Sequence, residues 1–143
     1  MFKKCVTLSA AAATLALAGV ASVYAGGGGN PDQIRVEARM ELGPDQAQAK
    51  ARYRDRFRNG LLEQRFDVEA EDFEPGAELA VTVNGLTVGT IFANDLGVAE
   101  MQLRTAEFID DPGDGSPIDS DFPRLMPGDV VVVGPLKGVF EAN

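Results

Sequence analysis

Two clusters of charged side chains stand out among the residues able to do chemistry. The first is acidic. Asp110-Asp111-Pro112-Gly113-Asp114-Gly115-Ser116-Pro117-Ile118-Asp119-Ser120-Asp121 gathers its carboxylates with no basic residue among them. Asp110, Asp114, Gly115 and Asp121 fall at positions ~1, 5, 6 and 12 of a calcium-loop frame, where hard carboxylate oxygens and a turn-forming glycine are what Ca²⁺ requires. Asp110, Asp114 and Asp121 are therefore the candidate metal ligands. Pro112 stands where a third ligand belongs and supplies no side-chain oxygen, and Asp121 stands where a bidentate Glu normally closes the loop. A solvated loop without metal accounts for the same residues and is the reading preferred.

The second cluster is basic. Arg52-Tyr53-Arg54-Asp55-Arg56-Phe57-Arg58 puts an arginine at every second position, about 6.6 Å apart on one face of a strand, a pattern that suits a polyanion. The hairpin that must carry these residues argues the other way. Asn59-Gly60 is the dipeptide a two-residue type I′ turn prefers, because both central residues need positive φ. Such a turn sets Arg58 opposite Leu61, and then Phe57 by Leu62, Tyr53 by Phe66 and Ala51 by Val68 on one face. The other face pairs Arg56 with Glu63, Arg52 with Asp67 and Lys50 with Glu69. It reads as a ladder of exposed ion pairs, each worth about 0.2–1 kcal/mol. Only Arg54 opposite Arg65 leaves a positive surplus.

Composition removes several other chemistries. The 143 residues include no His, no Trp and one cysteine, Cys5, and 22 acids outnumber 13 bases for a net charge of −9. Imidazole bases and ligands, thiol nucleophiles outside the first residues and a nucleic-acid footprint are all missing. A carbohydrate platform needs flat exposed aromatics, whereas Tyr53 points inward and Phe57, Phe66, Phe92 and Phe140 occupy expected core positions. Phe73, Phe108 and Phe122 fall at strand ends or in the long loop, where they can cover the edge of the core. Asp and Glu pairs abound through acidity alone, and neither a phosphate-cradling glycine loop nor a nucleophile elbow is present. The expectation is no catalytic residue, no cofactor-binding residue and no enzyme.

The elements around these clusters are strands. Met1-Phe2-Lys3-Lys4, an apolar run from Cys5 to Val20 and small residues at Val23 and Ala25 have the layout of a secretory signal peptide over residues 1–25. Its removal would take away Lys3, Lys4 and Cys5, deepening the negative charge by about two and leaving neither a cysteine nor a membrane anchor. Residues 26–33 read as a flexible glycine-rich leader, and 34–143 as one domain. Within it, eight runs alternate or are β-rich: 34–42, 49–57, 61–70, 79–83, 86–93, 98–104, 130–133 and 136–140. A second Asn-Gly pair, Asn84-Gly85, places Val83 by Leu86 and Val81 by Val88. Short strands at this spacing predict an all-β fold, a single antiparallel β-sandwich of about eight strands with Greek-key or immunoglobulin-like topology. The one long connection, Arg104 to Val130, is rich in turn formers and is of a length that is functional or disordered in most domains.

Residues 110–121 resemble a degenerate fragment of an EF-hand or dockerin-type loop. More broadly, Val81-Thr82-Val83-Asn84-Gly85-Leu86-Thr87-Val88-Gly89 and Phe122-Pro123 ahead of Pro127-Gly128-Asp129 resemble small exported bacterial β-sandwich domains of unassigned function. That resemblance implies the fold and brings no catalytic motif. The expected role is binding or structural, toward a protein or polymer partner, in a secreted or periplasmic setting. Two alternatives stand beside it. One is a Ca²⁺-dependent adhesion or ligand-binding module using loop 110–121. The other is a self-assembling subunit in which residues 34–42 complete a neighbour's sheet.

Overall fold

The computed structural model describes residues 33–143; the signal-peptide reading and most of the leader lie outside the described residues. The fold is all-β, in two sheets. The strands are β1 (Gln33–Glu41), β2 (Gln48–Arg58), β3 (Leu61–Glu71), β4 (Glu78–Val83), β5 (Leu86–Phe92), β6 (Ala99–Arg104), β7 (Ser116–Pro117), β8 (Val130–Val133), β9 (Leu136–Val139) and β10 (Glu141–Ala142). Sheet A runs β10-β1-β2-β3-β6-β7 and sheet B runs β5-β4-β8-β9. The eight runs expected from alternation are all strands. The first strand starts one residue early, at Gln33, inside the expected leader. β7 and β10 are two-residue additions, and β7 pairs parallel with β6, a departure from the all-antiparallel expectation.

The first hairpin has the register its turn dictates. Asn59 and Gly60 take φ of 53° and 76°, and Arg58↔Leu61, Tyr53↔Phe66 and Arg56↔Glu63 are partners. β1 docks on β2 over its whole length, from Gln33↔Arg56 to Glu41↔Gln48. Its Val36, Ala38 and Met40 are buried in the core, and Leu42, just beyond the strand, is exposed.

The second hairpin departs from expectation after its turn. Val83 faces Leu86, but a bulge shifts the ladder so that Thr82 faces Thr87 and Val81 faces Gly89, leaving Val88 as the extra residue. A bulge reverses inward and outward positions beyond it. Ile91 therefore points into the core, and Phe92, expected inside, is 62% exposed. Gly89 follows the bulge and packs against β6: a Cβ there would lie 2.5 Å from Cε of Met101. Phe57, also expected inside, is 53% exposed. The hairpin runs past the end of the core, and Asp55 takes the last buried inward position on β2.

The inward residues of both sheets form one cluster. Sheet A contributes many small side chains, including Ala38, Ala49, Ala51, Ala70 and Ala99; sheet B contributes larger ones, Leu79, Val81, Val83, Ile91, Val131, Val133 and Leu136. β9 passes through buried Phe140 into β10, so one continuous run of chain serves both sheets.

Candidate functional site

The acidic loop is folded around its own carboxylate. Asp114 Oδ2 accepts the backbone N–H groups of Asp110 at 3.1 Å and Asp111 at 3.2 Å, and Asp114 Oδ1 lies 3.7 Å from the Arg104 guanidinium. The Asp111 and Asp110 N–H groups, helped by Arg104 and Arg65, hold the Asp114 carboxyl below its ordinary value. Gly115 has φ of 107°, and a Cβ there would meet the Gln102 carbonyl oxygen at 2.7 Å. Only a glycine lets the loop come this close to β6, where Ser116 and Pro117 pair with Leu103 and Arg104. Asp121 instead borders a hollow beside Leu86, Thr87 and Leu103. Among the described residues, no three His, Cys, Asp or Glu side chains stand where they could share a metal ion.

The rest of the long connection plugs one end of the core. Phe122 lies 6.2 Å from the Tyr53 ring, stacked, and 5.4 Å from Phe66, tilted; Leu125 is fully buried. Covering of the core edge was legible for Phe122. Its neighbour Arg124 was not singled out, yet it reaches the fully buried carboxylate of Asp55. Arg124 donates from Nε at 2.5 Å and from Nη2 at 3.2 Å to the buried Asp55 carboxylate. Asp55 also accepts the Ile34 N–H and the Tyr53 hydroxyl, each at 3.0 Å, and Gln64 donates to the Tyr53 oxygen. Burial, with Asp55 alongside, pushes the Tyr53 hydroxyl well above its ordinary pKa. This network ties the long connection to β1, β2 and β3. Phe57 covers the outer side of the Arg124 guanidinium at 5.5 Å, and Phe108 meets Arg58 at 5.6 Å.

The outer face of sheet A carries the remaining chemistry. The registers of β1, β2, β3 and β6 order it into ranks running across the strands. One rank, Arg39-Lys50-Glu69-Glu100, balances its charge; the next, Glu37-Arg52-Asp67-Gln102, holds two acids and one base. The expected ladder pairs are opposite one another, but the closest contacts are partly diagonal: Arg52 reaches Glu69, and Lys50 reaches Glu37 at 3.3 Å. Glu63 is only 7% exposed and takes both Arg56 at 2.6 Å and Arg104 at 3.0 Å. Burial works against its charged form, but the Arg56 and Arg104 contacts outweigh it and keep the carboxyl below its ordinary value.

One rank has no acid. Arg35 faces Arg54, Arg54 faces Arg65, and Arg65 faces Arg104. The surplus at Arg54 and Arg65 was visible in the hairpin register; its extension to Arg35 and Arg104 depends on long-range pairing. Arg65 is held by Asp67 at 3.0 Å, and Arg104 by Glu63 and Asp114. Arg35 donates to the Gln33 amide oxygen at 3.1 Å in the amide orientation that satisfies both groups. Among the described residues, neither Arg35 nor Arg54 forms a salt bridge. A groove of about 350 Å³ runs along one side of the rank, lined by Arg35, Arg52, Arg54, Arg65, Asp67 and Asn143. No family model matches the chain, and no curated protein and no solved structure matches it at a significant level.

Proposed function

We propose that this chain is an exported, non-catalytic β-sandwich protein that works by presenting the outer face of sheet A to a partner, in the periplasm, at the cell surface or outside the cell. The shared core of the two sheets supports the sandwich, as does the strand order. β3 and β6 are neighbours in sheet A while the β4–β5 hairpin between them in sequence belongs to sheet B, so the chain crosses between the sheets as sandwich topologies do. The layout of residues 1–25 supports export. A single cysteine, confined to those residues, leaves a domain held by its core alone.

The observation that carries the reading is the division of labour among the charged groups. Asp55 and Glu63, the buried carboxylates, are each occupied by arginines that hold the scaffold. The cations without a carboxylate partner among the described residues, Arg35 and Arg54, lie on the open face, on the adjacent strands β1 and β2. An exposed concentration of one sign is a means of attracting a partner. Expression in an exporting host, followed by intact-mass measurement of the exported fraction, tests the reading. A chain beginning at Gly26 is expected; a full-length chain kept in the cytoplasm or membrane would overturn it.

A further inference from the structure

Like charges placed directly opposite one another in a sheet are destabilising. The Arg35-Arg54-Arg65-Arg104 rank repeats that arrangement three times across adjacent strands, about 14 Å from end to end at the usual strand spacing. Nearby acids compensate one half of the rank, Asp67 at Arg65 and Glu63 and Asp114 at Arg104, and leave the other half, Arg35 and Arg54, without a carboxylate among the described residues. We propose that Arg35, Arg54 and Arg65 bind an oxyanion of the phosphoryl or sulfo type that carries at least two negative charges.

Three observations support this ligand class. First, Arg35 and Arg54 are the two cations of the rank with no carboxylate partner among the described residues, so a dianion matches them and a monocarboxylate does not. Second, guanidinium forks bind planar or tetrahedral oxyanions through paired N–H donors, and the groove beside the rank has room for such a group. Third, the acids that bound the site, Glu37 on β1 and Glu63 and Asp67 on β3, repel a ligand that extends along the strands. They favour a compact anion or one lying across the strands. The crowding also registers on Arg54: burial, then Arg65, with Asp67 opposing, and then Arg35 and Arg56 disfavour its charged form. An anion in the groove relieves that crowding.

The inference rests on the outer face of sheet A being the working surface. Its test is calorimetric titration of the mature domain with inorganic pyrophosphate, with NaCl at matched ionic strength as the control for screening. Saturable binding is expected, weakened at least tenfold in Arg35→Gln/Arg54→Gln. Those substitutions remove like-charge neighbours, so the variant should melt at or above the parent temperature, which shows that lost binding is not lost folding. Glu100→Gln, on the same face but two ranks away, should bind as the parent does. Long-chain polyphosphate in a parallel arm identifies the source: equal affinity per diphosphate unit means a free or terminal group, and much tighter polymer binding means a polymer. Absence of saturable binding in both arms, or binding unchanged in the double variant, would overturn the site. Failure here with a chain that begins at Gly26 removes the oxyanion and leaves the exported module standing. A retained, uncleaved chain that still binds pyrophosphate does the reverse.

Discussion

Substituting Arg124 by Leu should expose how the long connection is held. The substitution keeps much of the aliphatic stem but withdraws the guanidinium whose contacts to Asp55 are 2.5 and 3.2 Å long. Asp55 would keep the Ile34 N–H and the Tyr53 hydroxyl, but no cation. Breaking one side of a buried ion pair costs about 3–5 kcal/mol. The Arg124 side chain is 41% exposed while that of Asp55 is fully buried, so water already reaches the guanidinium side, and the expected loss lies at or below the lower end of that range, about 2–3 kcal/mol. For a domain of this size that corresponds to a fall of roughly 10 °C in melting temperature. Asp55→Asn should cost less, about 1–2 kcal/mol, because it leaves a partly exposed arginine that can turn to water. Combined, the two changes should cost less than their sum by at least about 1 kcal/mol. Urea unfolding followed by the fluorescence of Tyr53, the one tyrosine after residue 25, measures all three. A loss below about 0.5 kcal/mol for Arg124→Leu, the range of an ordinary surface change, would refute the claim that this pair closes the end of the core.

Gly60→Val should destabilise by about 1–3 kcal/mol in the same assay. A Cβ at Gly60 meets nothing within 4 Å, so the loss would report the positive φ alone, and Arg54→Ser should change stability by less than about 0.5 kcal/mol. Acid should weaken the fold through Glu63. A carboxyl held below its ordinary value in the folded state contributes stability that is present above the unfolded value of about 4.3 and is lost as pH falls through the folded value. Melting temperature should therefore drop below about pH 4.5, and more shallowly in Glu63→Gln.

What the sequence made legible follows from how local its determinants are. Alternation and two Asn-Gly turns locate the strands, and one turn fixes every pair from Arg58↔Leu61 to Lys50↔Glu69 because nothing interrupts that ladder. The bulge at Val88 lies where Gly89 passes the Met101 side chain of β6, a long-range contact that local alternation does not reveal. One missed residue therefore inverted the assignment of Phe92. Phe57 keeps its inward parity but lies beyond the end of the core, a boundary set by Phe122, Arg124 and Leu125 from a segment more than sixty residues away. The candidate site divides in the same way. Arg54 opposite Arg65 is a hairpin contact and was readable, whereas Arg35 and Arg104 join them only through the registers of β1 on β2 and β6 on β3. Asp110, Asp114 and Asp121 fit a calcium frame by spacing, but spacing carries no information on where Asp114 would find its partners, which are two backbone N–H groups and an arginine.

The central claim is that the outer face of sheet A, and not the acidic loop, is the working surface. Amide NMR titrations of the mature domain, one with pyrophosphate and one with CaCl₂ carried to several millimolar to cover weak extracellular sites, test it most directly. Saturable shifts centred on Arg35, Arg54 and Arg65 with pyrophosphate are expected, with only the small, unsaturable drift of ionic screening over residues 110–121 with calcium. Saturable calcium shifts at Asp110, Asp114 and Asp121 with no response on β1, β2 and β3 to pyrophosphate would contradict it.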